Sequence, residues 1–291
     1  MILKLFHTDQ PAYFLEKIQP TLERDEAANG LMLGVCQQLV DDQKTGRPSE
    51  YLAAPKMVGV EDVQGLTAAA LMTPPYSLIL YCEPVQKIAS LKELYNYLGS
   101  FPIPGVIGKN HVVETFAGLW HDQHGESLKI NRKGRIYQLT QVTPTPFNPG
   151  YMRLASELDF DLIVEWAREF DRETLGGEEG SLVSERTMHR IQQKEIFLWE
   201  DGLVTAMAVR TRSTRHGAAI GYVYTPSALR GRGYASSLVS TLSQYLLNDG
   251  TSFCSLMTDL DNPVSNHIYQ KIGYKPVCDI EEIYFQSEFM N

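Results

Sequence analysis

The segment Arg230-Gly-Arg-Gly-Tyr-Ala235 is the stretch of this sequence best suited to holding a charged ligand. It follows strand-like text ending at Val223-Tyr-Thr225 and precedes a long helical run. In that run Leu238, Val239, Leu242, Tyr245 and Leu246 fall on one helical face. Backbone N–H groups of a glycine-containing turn can converge on one point. The first turn of a helix adds unpaired donors and the positive end of its dipole. Together they form a socket for a pyrophosphate. Gly231, Gly233 and the small Ala235 let phosphate oxygens approach the backbone, and Arg230 and Arg232 add positive charge. The competing reading is a strand-to-helix turn that uses its glycines for geometry alone.

A second motif lies downstream of a predicted strand at 253–258. It reads Asn262-Pro-Val-Ser-Asn-His-Ile-Tyr269-Gln-Lys271-Ile-Gly-Tyr274. The two motifs are R-x-x-G-x-A, then Asn and Tyr seven residues apart before a K-x-G-Y ending. In this order they resemble the GNAT acetyltransferase superfamily, whose pattern is Q/R-x-x-G-x-G/A. The resemblance covers about residues 150–285. The family often has a second Gly where Ala235 stands, and Ala is an accepted variant.

The resemblance implies a site and a reaction. The strand carrying Val223, Tyr224 and Thr225 should splay from the strand at 253–258. The pantetheine arm of acetyl-CoA would add to the open edge as an extra strand. Gly231, Arg232, Gly233, Tyr234, Ala235 and Ser236, with Arg230 beside them, should hold the pyrophosphate. Asn262 should fix the arm or the nearby helix. Tyr269 matches the usual general acid, which protonates the leaving thiolate. Its alternative is a tyrosine packed on the core face of a helix. An amine would attack the thioester directly, with the carbonyl polarised by main-chain N–H groups at 223–225. Asp259 and Glu200 are the candidate bases, and a water chain is an equal alternative.

The elements around these motifs predict an α+β fold of tandem GNAT-like domains, each a mostly antiparallel mixed sheet flanked by helices. Three prolines within 143–150 block helix and sheet alike and mark a linker. The expected division is a degenerate domain at 1–142, the linker at 143–150 and a catalytic domain at 151–291. In the second half, strands are expected at 151–154, 196–199, 203–211, 218–225, 253–258, 274–278 and 283–285. Helices are expected at 160–170, 184–194, to about 247 and at 264–272, and a mobile loop at 171–181. The first half repeats this outline faintly, with helices at 11–18, 28–40, 88–98 and 112–121. Strands there are expected at 51–59, 66–72, 77–82 and 135–142. After its strand at 77–82 it reads Glu83-Pro-Val-Gln, with no glycine, so it should lack the phosphate socket.

Composition limits the partners. The 291 residues are 43% hydrophobic and 21% charged, ordinary for a globular protein. No apolar run is long enough to span a membrane, and the amino terminus lacks a signal-peptide pattern, so the cytoplasm is the default compartment. The four cysteines, Cys36, Cys82, Cys254 and Cys278, lack CxxC spacing and read as free thiols. His121 and His124 stand without a carboxylate cluster, so no metal is expected. Residues 147–291 hold 13 Lys+Arg against 20 Asp+Glu, which disfavours nucleic acid. It also disfavours the tandem GNAT-like transferases that work on aminoacyl-tRNA, because no basic channel is visible. Asp171, Glu173, Glu178 and Glu179 would favour a cationic acceptor. The expectation is an acetyl-CoA-dependent N-acetyltransferase acting on a small-molecule or peptide amine. An acyl-CoA-binding sensor without turnover is the alternative.

Overall fold

Ten elements run in one order, and the same order then returns. In the computed structural model, which describes residues 2–46, 53–83, 87–144, 148–174 and 183–286, the first series begins with β1 (Lys4–Thr8), α1 (Pro11–Leu22), α2 (Glu26–Thr45), β2 (Lys56–Asp62) and β3 (Gly65–Met72). It continues with β4 (Leu78–Cys82), α3 (Lys87–Leu98), β5 (Gly105–Lys109), α4 (Asn110–His124) and β6 (Ser127–Leu139). The second begins with β7 (Tyr151–Leu154), α5 (Phe160–Thr174), α6 (Val183–Gln192), β8 (Ile196–Glu200) and β9 (Val204–Ser213). It continues with β10 (Gly217–Tyr224), α7 (Tyr234–Asn248), β11 (Phe253–Asp259), α8 (Pro263–Ile272) and β12 (Lys275–Gln286).

The pairing repeats as well. β1 to β4 form an antiparallel run and β4 lies parallel to β5. β7 to β10 form an antiparallel run and β10 lies parallel to β11. Two layers of helices are dictated by side-chain alternation along these strands. In the second series Phe197, Trp199, Ala206, Ala208 and Ile220 meet Leu238, Leu242 and Leu246 of α7. Their neighbours Leu198, Met207, Val209 and Tyr224 face the other way and meet Ile163, Trp166 and Ile191 of α5 and α6. In the first series Val58, Val60, Ala68 and Ala70 pack with α3 and α4, and Met57, Ala69 and Leu71 with α1 and α2. The α+β, mostly antiparallel architecture expected from the sequence is present in both series.

The packed units are not the two consecutive halves. One contains Met1–Ile136, Thr258–Asp261 and Val277–Asn291; the other contains Tyr137–Met257 and Asn262–Pro276. Most of β12 therefore belongs to the first unit, where it pairs antiparallel with β5 from Ile280↔Lys109 to Tyr284↔Gly105. The end of β6 belongs to the second, where Tyr137 and Leu139 are fully buried beside Tyr274. The Tyr137 hydroxyl donates to Asn266 Oδ1 at 2.9 Å and accepts from Gln270 Nε2 at 3.2 Å. Thr143 N–H donates to the Ile272 carbonyl at the end of α8. β6 ends at Leu139 and β7 begins at Tyr151, and the core of the second unit includes residues ahead of this stretch.

Other boundaries differ from those expected. The strands expected at 274–278 and 283–285 are one strand, β12, because buried Ile280 and Ile283 continue its ladder. Residues 171–174 are helical: α5 runs on to Thr174. The rest of the expected loop, with Glu178 and Glu179, lies outside the described residues. So do residues 84–86 after β4. β1 was not anticipated at all. The thiols of Cys36, Cys82 and Cys254 are buried and that of Cys278 half-buried, and all four are free.

The membership of Tyr137 can be tested in the full chain by denaturant unfolding. Tyr137→Ala empties a fully buried aromatic site and should cost about 3–5 kcal/mol. Tyr137→Phe, which removes only the hydroxyl, should cost about 0.5–1.5 kcal/mol. An unchanged midpoint for Tyr137→Ala would exclude β6 from that core.

Candidate active site

The opening in the second sheet starts at Ile220. β10 pairs with β11 over four residues only, Gly217↔Phe253 to Ile220↔Leu256. Gly221, Tyr222, Val223 and Tyr224 extend past the last pair. On the other side of β10 the register against β9 shifts between Gly221 and Tyr224, and Tyr222 takes a positive φ of 48°. This bulge re-aims the main chain where Val223, Tyr224 and Thr225 were expected to meet an acyl group. Thr225 Oγ1 is buried and has no hydrogen-bond partner among the described residues.

The chain then turns through Pro226 and a single 3-10 turn into the glycine motif. Gly231 and Gly233 have φ of 76° and 79°, in the left-handed region that glycine reaches without strain. Gly233 is the N-cap residue of α7, and no side chain caps this helix. The helix therefore presents the N–H groups of its first turn, from Tyr234, Ala235 and Ser236, and its dipole end to an incoming ligand. Gly233 is required twice over, because a Cβ there would meet the amide of Asn148. Asn148 is held by Ser237, whose hydroxyl accepts from the Asn148 main-chain N–H at 3.1 Å. Asn148 lies in the stretch read from sequence as linker, and nothing in its surroundings there marked it.

The arginines are arranged differently from the sequence reading. Arg230 does not offer a bare charge to a phosphate. Its guanidinium holds both carboxylate oxygens of Glu173 at 2.8 Å, donates to the Thr225 carbonyl at 2.9 Å and lies over the Tyr224 ring. It ties the loop to α5. Arg232 is exposed. Tyr224 points its ring away from the opening into the α5 side, where its hydroxyl donates to Glu169. Tyr234 likewise donates to Asp201 at 2.9 Å. These two tyrosines are left with main-chain roles at the opening.

Asn262 and Tyr269 sit at the two ends of α8. The Asn262 side chain accepts from Ser265 N–H at 3.1 Å, so it caps the helix. Tyr269 packs on the same core face as Val223 and Tyr234 and meets Tyr274 edge to face at 6.0 Å. Burial pushes its hydroxyl up to about 12. Its hydroxyl has no hydrogen-bond partner among the described residues. The Tyr269 ring is thus part of the core, and its hydroxyl is uncommitted.

Neither candidate base is uncommitted. Glu200 accepts from the Arg153 guanidinium and from the Tyr151 hydroxyl, and these contacts pull its carboxyl below the ordinary range. Asp259 accepts from Asp261 N–H at 2.8 Å. Among the described residues no helix is long and apolar enough to cross a membrane, and no group of three or more His, Cys, Asp or Glu side chains converges as a metal site would need. His124 stacks on Trp120 at 4.1 Å.

Comparison with known proteins bears on this geometry. Residues 198–284 match the FR47-like protein family. No curated protein matches the sequence. Among solved structures, a Drosophila protein aligns over 98% of both chains with a TM-score of 0.70 and 11% identity. A GCN5-related N-acetyltransferase from Sphaerobacter thermophilus aligns over 97% of this chain and 95% of its own, with a TM-score of 0.59 and 17% identity. A tandem GNAT protein from the clavulanic acid biosynthesis pathway aligns over 98% of both, with a TM-score of 0.52 and 10% identity.

The two glycines should differ in tolerance. A Cβ at Gly231 meets nothing within 4 Å. Gly231→Ala should therefore cost only the backbone strain of its positive φ, about 1–2 kcal/mol. Gly233→Ala adds the collision with Asn148 and should cost more. Chemical denaturation of the two variants reads the difference, and equal losses would show that Asn148 does not constrain the turn. Residues 198–284 thus match the FR47-like family, and the whole chain has the fold of tandem GNAT proteins.

Proposed function

We propose that the second unit is an acetyl-CoA-dependent N-acetyltransferase that moves an acetyl group to a primary amine. One observation carries the reading. The strand edge opened beyond Ile220 leads directly into a glycine turn and a helix start with no side-chain cap. An extended pantetheine arm can pair with that edge, and the pyrophosphate can then reach the N–H groups at 231–236. The FR47-like match over 198–284 and the GNAT fold support the same reading.

The chemistry follows from the groups at hand. The amine nitrogen attacks the thioester carbonyl carbon, and main-chain N–H groups near the bulge at Tyr222 stabilise the developing oxyanion. The C–S bond then breaks. The sulfur takes the proton of the Tyr269 hydroxyl, the nitrogen gives up its surplus proton to solvent water, which returns one to the Tyr269 oxygen, and the neutral amide and coenzyme A leave. A phenol pushed up to about 12 stays protonated through neutral and mildly alkaline pH, as a general acid must. Tyr269→Phe should lower kcat about 10²–10⁴-fold with little change in acetyl-CoA affinity. The wild-type rate should show no loss attributable to this hydroxyl below about pH 10, since a raised pKa moves that limb upward.

Calorimetry with acetyl-CoA, and thiol release with a panel of amines, test the whole reading. Gly233→Glu should abolish acetyl-CoA binding, because a carboxylate would occupy and repel at the phosphate position. Binding that survives in Gly233→Glu, or a wild-type chain that binds no acetyl-CoA, would overturn it. Binding without thiol release to any amine would reduce the protein to an acyl-CoA sensor.

A further inference from the structure

Beside the bulge, three arginines gather where the net charge of the region gave no hint of them. Arg212 lies at the end of β9, and Arg186 and Arg190 lie on α6. The ring of Tyr222 is their meeting point. The Arg190 guanidinium lies over it at 4.9 Å, and Phe170 packs on it at 4.8 Å. Asp171, at the last turns of α5, is the one acid of the group; it lies near the Tyr222 hydroxyl and feels both Arg186 and Arg190, and its Oδ1 is buried without a hydrogen-bond partner among the described residues.

Arg212 has no such relief. Its Nε is buried without a hydrogen-bond partner among the described residues, and it pairs with no carboxylate there. Its charged neighbour is another cation, Arg190. Burial and that repulsion both weaken its hold on its proton, yet a guanidinium does not give up its charge. Arg212 is half-buried as a residue, but its Nε–H is fully covered and unsatisfied, which is costly to fold and is relieved when an anion arrives. The same residue that carries the bulge, Tyr222, sits between this cluster and the main chain of Val223, Tyr224 and Thr225. An anion bound at Arg212 would therefore belong to the molecule that approaches the acyl group from the α5–α6 side.

Resting on the acetyltransferase reading above, we propose that the acceptor is an amine that also carries a carboxylate, such as a free amino acid, and that Arg212 with Arg190 binds that carboxylate. A guanidinium matches a carboxylate through two parallel N–H···O bonds, which fixes direction as well as position. The amine end would then be held toward the thioester. This reverses the cationic preference suggested by the acidic residues near 171–179. Of these, Glu173 is occupied by Arg230 and Asp171 lies among Tyr222, Arg186 and Arg190, and the 13 to 20 imbalance over 147–291 says nothing of the local field.

The test uses the full chain and thiol release with acetyl-CoA. Free α-amino acids and β-alanine are compared with their own carboxamides and with putrescine. At least one amino acid should exceed its carboxamide in kcat/KM by about 10–100-fold. Arg212→Gln should raise the acceptor KM by a similar factor and leave acetyl-CoA affinity, measured by calorimetry, unchanged. Arg212→Lys should recover part of the loss. Calorimetry also separates folding failure from loss of recognition. Equal rates with acids and carboxamides, a preference for putrescine, or an unchanged acceptor KM in Arg212→Gln would overturn the inference while leaving the acetyltransferase reading intact. A wild-type chain that binds no acetyl-CoA would overturn that reading instead.

Discussion

The second unit's site depends on where one parallel strand pair stops. β10 and β11 share only four paired residues, and β10 then runs on paired with β9 alone. Parallel strands need a crossover, here α7, and the turn that starts the crossover must leave from the end of β10. The pairing and the crossover therefore place an open edge next to a helix amino terminus. The bulge at Tyr222 sharpens this. A non-glycine residue at φ 48° is uncommon and costs energy, so its surroundings must over-determine it. They do so through Phe170 and Arg190, which cover the ring on α5 and α6.

Helix α5 is the element that holds β10 in this state. Glu169, Phe170, Asp171 and Glu173 all reach the strand or the loop after it. Glu169 accepts from Tyr224, Phe170 packs on Tyr222, Asp171 lies near the Tyr222 hydroxyl, and Glu173 takes Arg230. Glu169 and Glu173 are four residues apart, hence on one helical face. The exposed Glu173–Arg230 pair contributes little by itself, about 0–1 kcal/mol. Its effect is to fasten the glycine turn to α5, the helix that also packs on the bulge at Tyr222.

This explains which parts were legible in the sequence. The strand–turn–helix at 223–235 and the Asn262–Tyr269 spacing are local patterns, and local patterns survive in a sequence read alone. Element types were also legible wherever apolar periodicity was strong, as in α7. What failed was long-range. Asp171 and Glu173 read as an acidic loop because their partners, Tyr222 and Arg230, are some fifty residues away. Arg230 read as a phosphate ligand for the same reason. Tyr137 looked like the end of the first half, since nothing local says that its ring is buried beside Tyr274. Nothing local in the sequence says that the Arg212 Nε is covered and unpaired beside Arg190 of α6.

The first unit shows that the opening alone does not make a site. β4 and β5 are also parallel and pair through only two residues, Leu78↔Val106 and Ile79↔Ile107. Yet a Cβ on Gly108 would meet the Leu80 carbonyl, so the backbones stay close just past the last pair. Ala28 and Met32 of α2 line what is left, an apolar cavity of about 40 Å³ with Leu80, Tyr81 and Lys109. That volume holds roughly one water and no coenzyme arm. The residues after β4 contain no glycine to turn phosphate-facing N–H groups outward. A short parallel ladder is thus shared by both series, while the backbones past it are parted to different extents. Among the described residues, the second series follows its ladder with a glycine turn in the left-handed region, at Gly231 and Gly233.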